Sequence, residues 1–117
     1  MHTYIYLSTC NTCMRILKEL QLPEGTKLQD VKHEPISKAQ LEELYKVTQS
    51  YEQLINKRSR LLQALKKAGK TLDENSYKQL LETEYSCLKR PILFWNNTYY
   101  LGNAKQTVAA MQEAVHG

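Results

Sequence analysis

The chain has 117 residues, the length of one compact domain. Its composition, 42% hydrophobic and 24% charged residues, is that of an ordinary globular protein and argues against a disordered chain. No apolar run approaches the roughly 20 residues that span a bilayer, and the N-terminus lacks the pattern of a signal peptide. The net charge of +4 is too mild for a dedicated nucleic-acid binder. We therefore expect a soluble, cytoplasmic protein with no membrane or direct nucleic-acid partner.

The first elements along the chain are predicted to be a strand, a helix and a second strand. Residues 3–7 form a β-branched and aromatic run that is typical of a central strand. From Cys13 onward, apolar side chains recur with helical spacing until Pro23, which is expected to end the helix. Residues 27–32 indicate a weak, polar strand at a sheet edge. A strand–helix–strand unit of this kind is parallel and right-handed.

A helical block follows and is predicted over residues of about 37–85. Ser37 and Gln40 have the spacing of a capping box at its start. Gly69 is a plausible residue for the end of a helix, and Asp73 is expected to cap the next one. This block separates the second strand from the rest of the sheet.

The chain after Pro91 changes from a helical to an extended period. Residues 92–95 and 98–101, separated by the asparagine pair at 96–97, predict a β-hairpin. Asn103 is expected to cap a final helix. The whole order predicts an α/β protein with a four-stranded mixed sheet, made of a βαβ unit, then a β-hairpin and helix, with a helical insertion between strands 2 and 3.

Two cysteines, Cys10 and Cys13, lie where the first predicted strand leads into the first helix. The backbone N–H groups and the positive dipole end of a helix N-terminus stabilise an anion. We therefore expect Cys10 to be a thiolate with a pKa below the free value of about 8.5. Cys13 follows one helical turn later, near enough to attack a mixed disulfide formed at Cys10. This pattern favours redox chemistry.

Two other interpretations of the cysteine pair remain open. A zinc site needs four ligands, so Cys87 and a histidine would have to complete it. Alternatively, both cysteines are buried structural thiols. Cys87 itself is expected to be a buried filler near a helix end, and the three histidines lack motif spacing and are expected at the surface.

Several segments together resemble the ArsC/Spx family of thioredoxin-like proteins, in order and over essentially the whole chain. They are Tyr4-Ile5-Tyr6 leading into Cys10-Asn11-Thr12-Cys13, Asn56-Lys57-Arg58-Ser59, Leu88-Lys89-Arg90-Pro91-Ile92 and Leu101-Gly102-Asn103. The resemblance implies a thioredoxin-like fold over a single domain of residues 1–117. It also implies a cis peptide bond before Pro91.

The resemblance further implies a nucleophilic Cys10, with Arg90 stabilising an anion beside it and Cys13 as the resolving thiol. The residues expected to bind substrate or glutathione are Thr9, Asn11, Thr12, Arg58, Pro91 and Lys105. Neither a metal nor a bound cofactor is expected. The electrons are expected to come from glutathione, or from a glutaredoxin or thioredoxin partner.

The chain departs from the family pattern at two arginine positions. An arsenate reductase of this family binds its oxyanion with three arginines, of which this chain keeps Arg90. The other two positions hold Asn56 and Gly102, which weakens an oxyanion site. We therefore expect a thiol–disulfide oxidoreductase that resembles arsenate reductase. The alternative is an Spx-like redox-responsive regulator that binds the RNA polymerase α subunit, although the glycine typical of that branch is replaced by Ser50.

Overall fold

A computed structural model describes residues 2–117 of the chain. The chain folds into two compact units. One is built from both ends of the chain, up to Pro35 and from Arg90 onward, and the other is the intervening segment Ile36–Lys89. Within the described residues, the first unit contains the sheet and the second unit is helical. A single domain over residues 1–117 stays a prediction.

The first unit is organised around a four-stranded sheet of order β2-β1-β3-β4. The strands are β1 (Thr3–Tyr6), β2 (Lys27–Asp30), β3 (Ile92–Trp95) and β4 (Thr98–Leu101). Strand β1 runs parallel to β2 and antiparallel to β3, and β3 forms an antiparallel hairpin with β4. This mixed sheet confirms the predicted fold class. Strand β2 lies at the edge, as predicted, and ends at Asp30, two residues earlier than expected.

The register of the sheet places three chain segments at one edge. Tyr6, the last residue of β1, pairs with Asp30, the last residue of β2. In the antiparallel pair, Ile5 is opposite Ile92, the first residue of β3. The chain leaving β1, the chain leaving β2 and the chain entering β3 therefore meet at the same end of the sheet.

Helix α1 spans Asn11–Leu20 and packs one face against the sheet. Apolar side chains spaced by three or four residues form its buried face, as an amphipathic helix requires. They are Cys13, Ile16 and Leu20. The helix ends at Leu20, shortly before Pro23, because Gln21 already adopts a left-handed conformation with φ of 47°.

Helix α5 spans Lys105–His116 and completes the core of the sheet unit. The buried cluster consists of Tyr4, Ile16, Leu20, Leu93, Trp95 and Met111. The predicted cap, Asn103, is wrong. The N-cap is Ala104, whose side chain makes no capping hydrogen bond. Asn103 is not the cap because the helix begins at Lys105, one residue further along the chain than a helix capped by Asn103 would begin.

The hairpin turn between β3 and β4 is made by Asn96 and Asn97. Both residues have positive φ, 48° and 62°. A two-residue turn needs this conformation at its central positions so that its twist matches that of the strands, and asparagine tolerates it. The predicted hairpin is thereby confirmed.

The second unit contains three helices and two short 3₁₀ turns. They are α2 (Lys38–Thr48), α3 (Arg60–Lys67), α4 (Glu74–Thr83) and the turns Glu52–Leu54 and Tyr85–Cys87. Ser37 and Gln40 form the predicted capping box, each side chain bonded to the other residue's backbone N–H. Asp73 caps α4 through the N–H of Ser76 at 2.9 Å, as predicted.

Among residues 2–117, no helix combines the length and the apolar character needed to cross a bilayer.

Candidate active site

Cys10 is the N-cap residue of α1. Its backbone is extended, with φ of −95° and ψ of 111°. Its N–H donates to the carbonyl of Leu7 at 3.0 Å, which closes a tight turn between β1 and the helix. Its own carbonyl accepts from the N–H of Met14 at 3.1 Å and begins the helical bonding. The sulfur is therefore placed where the first N–H groups of α1 have no intrahelical partner.

The N-terminus of α1 stabilises negative charge on the Cys10 sulfur. The Cys13 N–H donates to Cys10 Sγ at 3.5 Å, and the first turn of α1 contains no acidic residue to offset the helix dipole. Partial burial raises the pKa of the Cys10 thiol, but the N–H groups of Cys13 and Thr12 and the charge of Arg90 outweigh it. The net result is a Cys10 pKa below its ordinary value, with the sulfur still partly exposed.

Cys13 has the opposite character. Its side chain is fully buried on the sheet face of α1. Burial, with smaller contributions from the neighbouring Cys10 sulfur, raises the pKa of Cys13 to about 12. The two thiols are thus one partly exposed group whose pKa is lowered and one buried group that remains protonated at neutral pH.

Arg90 and Pro91 lie at the same end of the sheet as the cysteine pair. They precede Ile92, and since Ile92 pairs with Ile5 they lie beside the chain that leaves β1. The Arg90–Pro91 peptide bond is cis, as the resemblance implied. Arg90 is half-buried, and its positive charge favours ionisation of Cys10 against the effect of burial.

The remaining predicted site residues occupy two regions of the chain. Thr9 is exposed in the turn before Cys10, and Asn11 and Thr12 are the first two residues of α1. Lys105 is exposed at the start of α5. These four residues belong to the sheet unit together with the cysteines. Arg58 is exposed in the other unit, just before α3, and its predicted role stays untested.

Asp30 anchors the active-site turn and was not predicted from the sequence. Its Oδ1 accepts hydrogen bonds from the N–H of Ser8 and the N–H of Lys32, each at 3.2 Å. Ser8 belongs to the turn that leads into Cys10, so the carboxylate links the end of β2 to that turn. Slight burial raises the pKa of Asp30, but the hydrogen bonds from Ser8 and Lys32 lower it by more. The net result is an Asp30 pKa below its ordinary value.

Replacing Asp30 with alanine is expected to destabilise the protein by about 1 kcal/mol at neutral pH, because two backbone donors lose their acceptor. A carboxyl whose pKa is lowered by folding stabilises the protein above its unfolded pKa of about 3.9, and this contribution disappears as the pH falls through the folded pKa. The difference between wild type and Asp30→Ala in urea denaturation should therefore shrink at pH 3. Asp30→Asn, which keeps an acceptor oxygen, is the control; an equal difference at both pH values would contradict the assignment.

Cys87 is buried in the helical unit, where its sulfur lies 3.4 Å from Ser59 Oγ. Among residues 2–117, no group of three histidine, cysteine, aspartate or glutamate side chains is arranged to hold a metal ion. The zinc interpretation of the cysteine pair therefore has no supporting cluster in the described chain.

The mixed sheet, the Cys-x-x-Cys pair at the first strand-to-helix turn and the adjacent cis-proline together define a thioredoxin-like protein. The chain belongs to the ArsC family, whose model matches residues 6–111. No curated protein sequence matches it significantly.

Two solved structures share the fold. The YFFB protein is 20% identical, with a TM-score of 0.76 over 98% of this chain and 99% of that one. An arsenate reductase (ArsC) related protein from Brucella melitensis is 22% identical, with a TM-score of 0.67 over 93% of this chain and 92% of that one. These similarities extend over nearly the full length of each protein.

Proposed function

We propose that this protein is a thiol–disulfide oxidoreductase in which Cys10 attacks the substrate and Cys13 resolves the adduct. The observation that carries the proposal is that two thiols one helical turn apart have pKa values shifted in opposite directions. Cys10 has a lowered pKa and is partly exposed, whereas Cys13 is buried with a pKa of about 12. This division matches an attacking and a resolving thiol.

In the first step, the Cys10 thiolate attacks one sulfur of a substrate disulfide. A new disulfide forms between Cys10 and that half of the substrate, and the other half leaves as a thiolate. Arg90 favours the attacking anion and offers a fixed positive charge to an acidic substrate. The chain near Pro91, beside the chain that leaves β1, would bind a glutathione or peptide-like group in extended form.

In the second step, the Cys13 sulfur attacks Cys10 Sγ and displaces the second half of the substrate. Burial is the main reason for the high pKa of Cys13, but the ionised Cys10 sulfur also raises it. Formation of the mixed disulfide removes that negative charge, so Cys13 ionises more easily at the moment when it must react. Its proton is taken up by the departing thiolate, and two electrons have then passed from the cysteine pair to the substrate.

The oxidised pair needs an external dithiol or two thiols to return to the reduced state. Glutathione, glutaredoxin and thioredoxin are the donors we propose, and the cytoplasm is the compartment in which they keep thiols reduced. Thr9, Asn11 and Thr12 are proposed to contact the bound glutathione group, with Lys105 and Arg58 supplying auxiliary positive charge.

A disulfide fits the site better than arsenate does. The position of one missing family arginine is Gly102, which is buried with φ of 90° and whose N–H donates to the Pro91 carbonyl at 2.9 Å. Each lost charged hydrogen bond costs an oxyanion site about 1.5–3 kcal/mol. We therefore propose small disulfides as the substrate class, with arsenate as the comparison substrate.

The Cys13→Ser variant tests the assigned roles. Incubated with glutathione disulfide, it should accumulate a stable mixed disulfide at Cys10, because the serine hydroxyl cannot displace the bound glutathione. Intact mass spectrometry detects the adduct as one added glutathionyl group. The wild-type protein should show only a transient adduct followed by an internal disulfide. Failure of Cys13→Ser to hold the adduct longer than wild type would contradict the resolving role.

The same cysteine pair also suits a redox-responsive binding protein without turnover, since oxidation would join two residues of the α1 N-terminus. An NADPH-coupled assay with glutathione, glutaredoxin or thioredoxin separates the two functions. Continuous NADPH consumption that requires this protein, with a small disulfide other than glutathione disulfide as the substrate, supports the enzyme. No turnover, combined with oxidant-dependent capture of the RNA polymerase α subunit, would support the Spx-like alternative.

A further inference from the structure

Tyr4 on β1 is a buried polar residue with no part in the reaction described above. Its side chain has no exposed surface, and its ring stacks on that of Tyr6 with centroids 5.6 Å apart. A buried tyrosine hydroxyl needs a hydrogen-bond partner. It finds one in the carbonyl oxygen of Cys13, to which it donates at 2.8 Å.

This hydrogen bond joins the central strand to the residue on which the chemistry depends. The N–H of Cys13 donates to Cys10 Sγ, and the Cys13 thiol is the proposed resolving group. Its carbonyl is the acceptor for Tyr4. One side chain of the sheet therefore holds the residue whose N–H stabilises the thiolate and whose thiol is proposed to complete the reaction.

The hydroxyl of Tyr4 is suited to act as a permanent donor. Burial raises the pKa of Tyr4 above its ordinary value, and negative charge on Cys13, Cys10 and Tyr6 raises it further. The phenol is consequently protonated throughout the pH range in which Cys10 titrates. A backbone carbonyl only accepts, so this bond does not change direction as the thiols ionise.

We propose that Tyr4 is a positioning residue of the Cys-x-x-Cys site: its hydroxyl holds the backbone of Cys13 so that the Cys13 N–H faces Cys10 and the Cys13 thiol can reach the mixed disulfide. Only the second part, that the Cys13 thiol can reach the mixed disulfide, rests on the proposed function. The first part, support of the Cys10 thiolate, concerns the reduced protein and does not require turnover.

Tyr4→Phe removes the hydroxyl and keeps the ring that packs in the core. Two measurements follow: the pH dependence of Cys10 alkylation by iodoacetamide, and the lifetime of the mixed disulfide formed with glutathione disulfide. Loss of one hydrogen bond is expected to move the alkylation midpoint upward by about half a pH unit and to lengthen the adduct lifetime about three- to tenfold. A residue that only filled the core would change neither once the variant is folded.

Tyr6→Phe is the matched control, since it removes a hydroxyl from the same strand and the same ring stack. Its alkylation midpoint and adduct lifetime should equal those of the wild type. Thermal denaturation establishes that each variant is folded, and Tyr4→Met provides a second variant without the hydroxyl if Tyr4→Phe is unfolded. Identical midpoints and lifetimes in Tyr4→Phe and Tyr6→Phe would overturn the proposal.

Failure of the proposed function gives a different result. If the wild-type protein forms no internal disulfide with glutathione disulfide, the assignment of Cys13 as resolving thiol fails. The alkylation midpoint of Tyr4→Phe still decides whether Tyr4 supports the Cys10 thiolate.

Discussion

Replacing Cys10 with serine should lower the rate of reduction of a small disulfide other than glutathione disulfide by more than about 1000-fold, because the neighbouring Cys13 thiol is buried with a pKa of about 12 and attacks an external disulfide poorly. The pKa of the Cys10 thiol at the N-terminus of α1 lies below its ordinary value, helped by the Cys13 N–H at 3.5 Å. A serine hydroxyl in the same place remains protonated and attacks sulfur poorly. The NADPH-coupled assay at saturating reductant measures the loss.

The control for Cys10→Ser is Cys87→Ala, which removes the third cysteine from the helical unit. Cys87 is buried beside Ser59 and has no assigned part in the reaction, so this variant should keep wild-type activity if it remains folded. Both variants are compared by thermal denaturation first. Substantial turnover by Cys10→Ser, or its loss in a folded Cys87→Ala protein, would contradict the assignment of Cys10 as the nucleophile.

Arg90→Met should lower kcat/KM by about 10- to 100-fold, the loss expected for one hydrogen bond to a charged group. Burial raises the pKa of Cys10, and the charge of Arg90 is one of the groups that overcome this effect. A lowered pKa keeps the thiolate present above that pKa and loses it as the pH falls below. Removing Arg90 should therefore move the alkylation curve of Cys10 to higher pH.

Arg15→Met is the matched control for Arg90→Met, because it removes the same charge from the surface of α1. Arg15 is bonded to Glu19 one turn away at 2.9 Å, and its side chain is 61% exposed. An exposed pair of this kind contributes little to stability. If Arg15→Met shifted the Cys10 curve as far as Arg90→Met, net charge would explain the effect, and a local role for Arg90 would be wrong.

The secondary structure followed from interactions within a few residues. The capping box of Ser37 and Gln40, the Asp73 cap and the asparagine pair of the hairpin all act over spans of two to four positions, so the residue types alone identify them. The mistakes were also local. Asn103 has capping chemistry, but the helix begins after Ala104.

The cysteine site could be predicted as far as it depends on the first βα turn. The position of Cys10 at the start of α1 follows from a strand, a turn and a helix that are consecutive in the chain. Its catalytic role and that of Cys13 stay predictions. The cis bond before Pro91 is confirmed, but it was expected from the family resemblance, since a cis X–Pro bond is uncommon in general.

The sequence by itself determined the elements, their order along the chain and the place of the cysteine pair, because helical periodicity, strand composition and capping are properties of neighbouring residues. Only the tertiary structure decided which groups support the pair. Tyr4 bonds to Cys13 across nine positions, and Asp30 reaches Ser8 across 22. Neither residue has a spacing that marks its partner, because contacts between separate elements depend on strand register and helix packing, which place distant residues side by side.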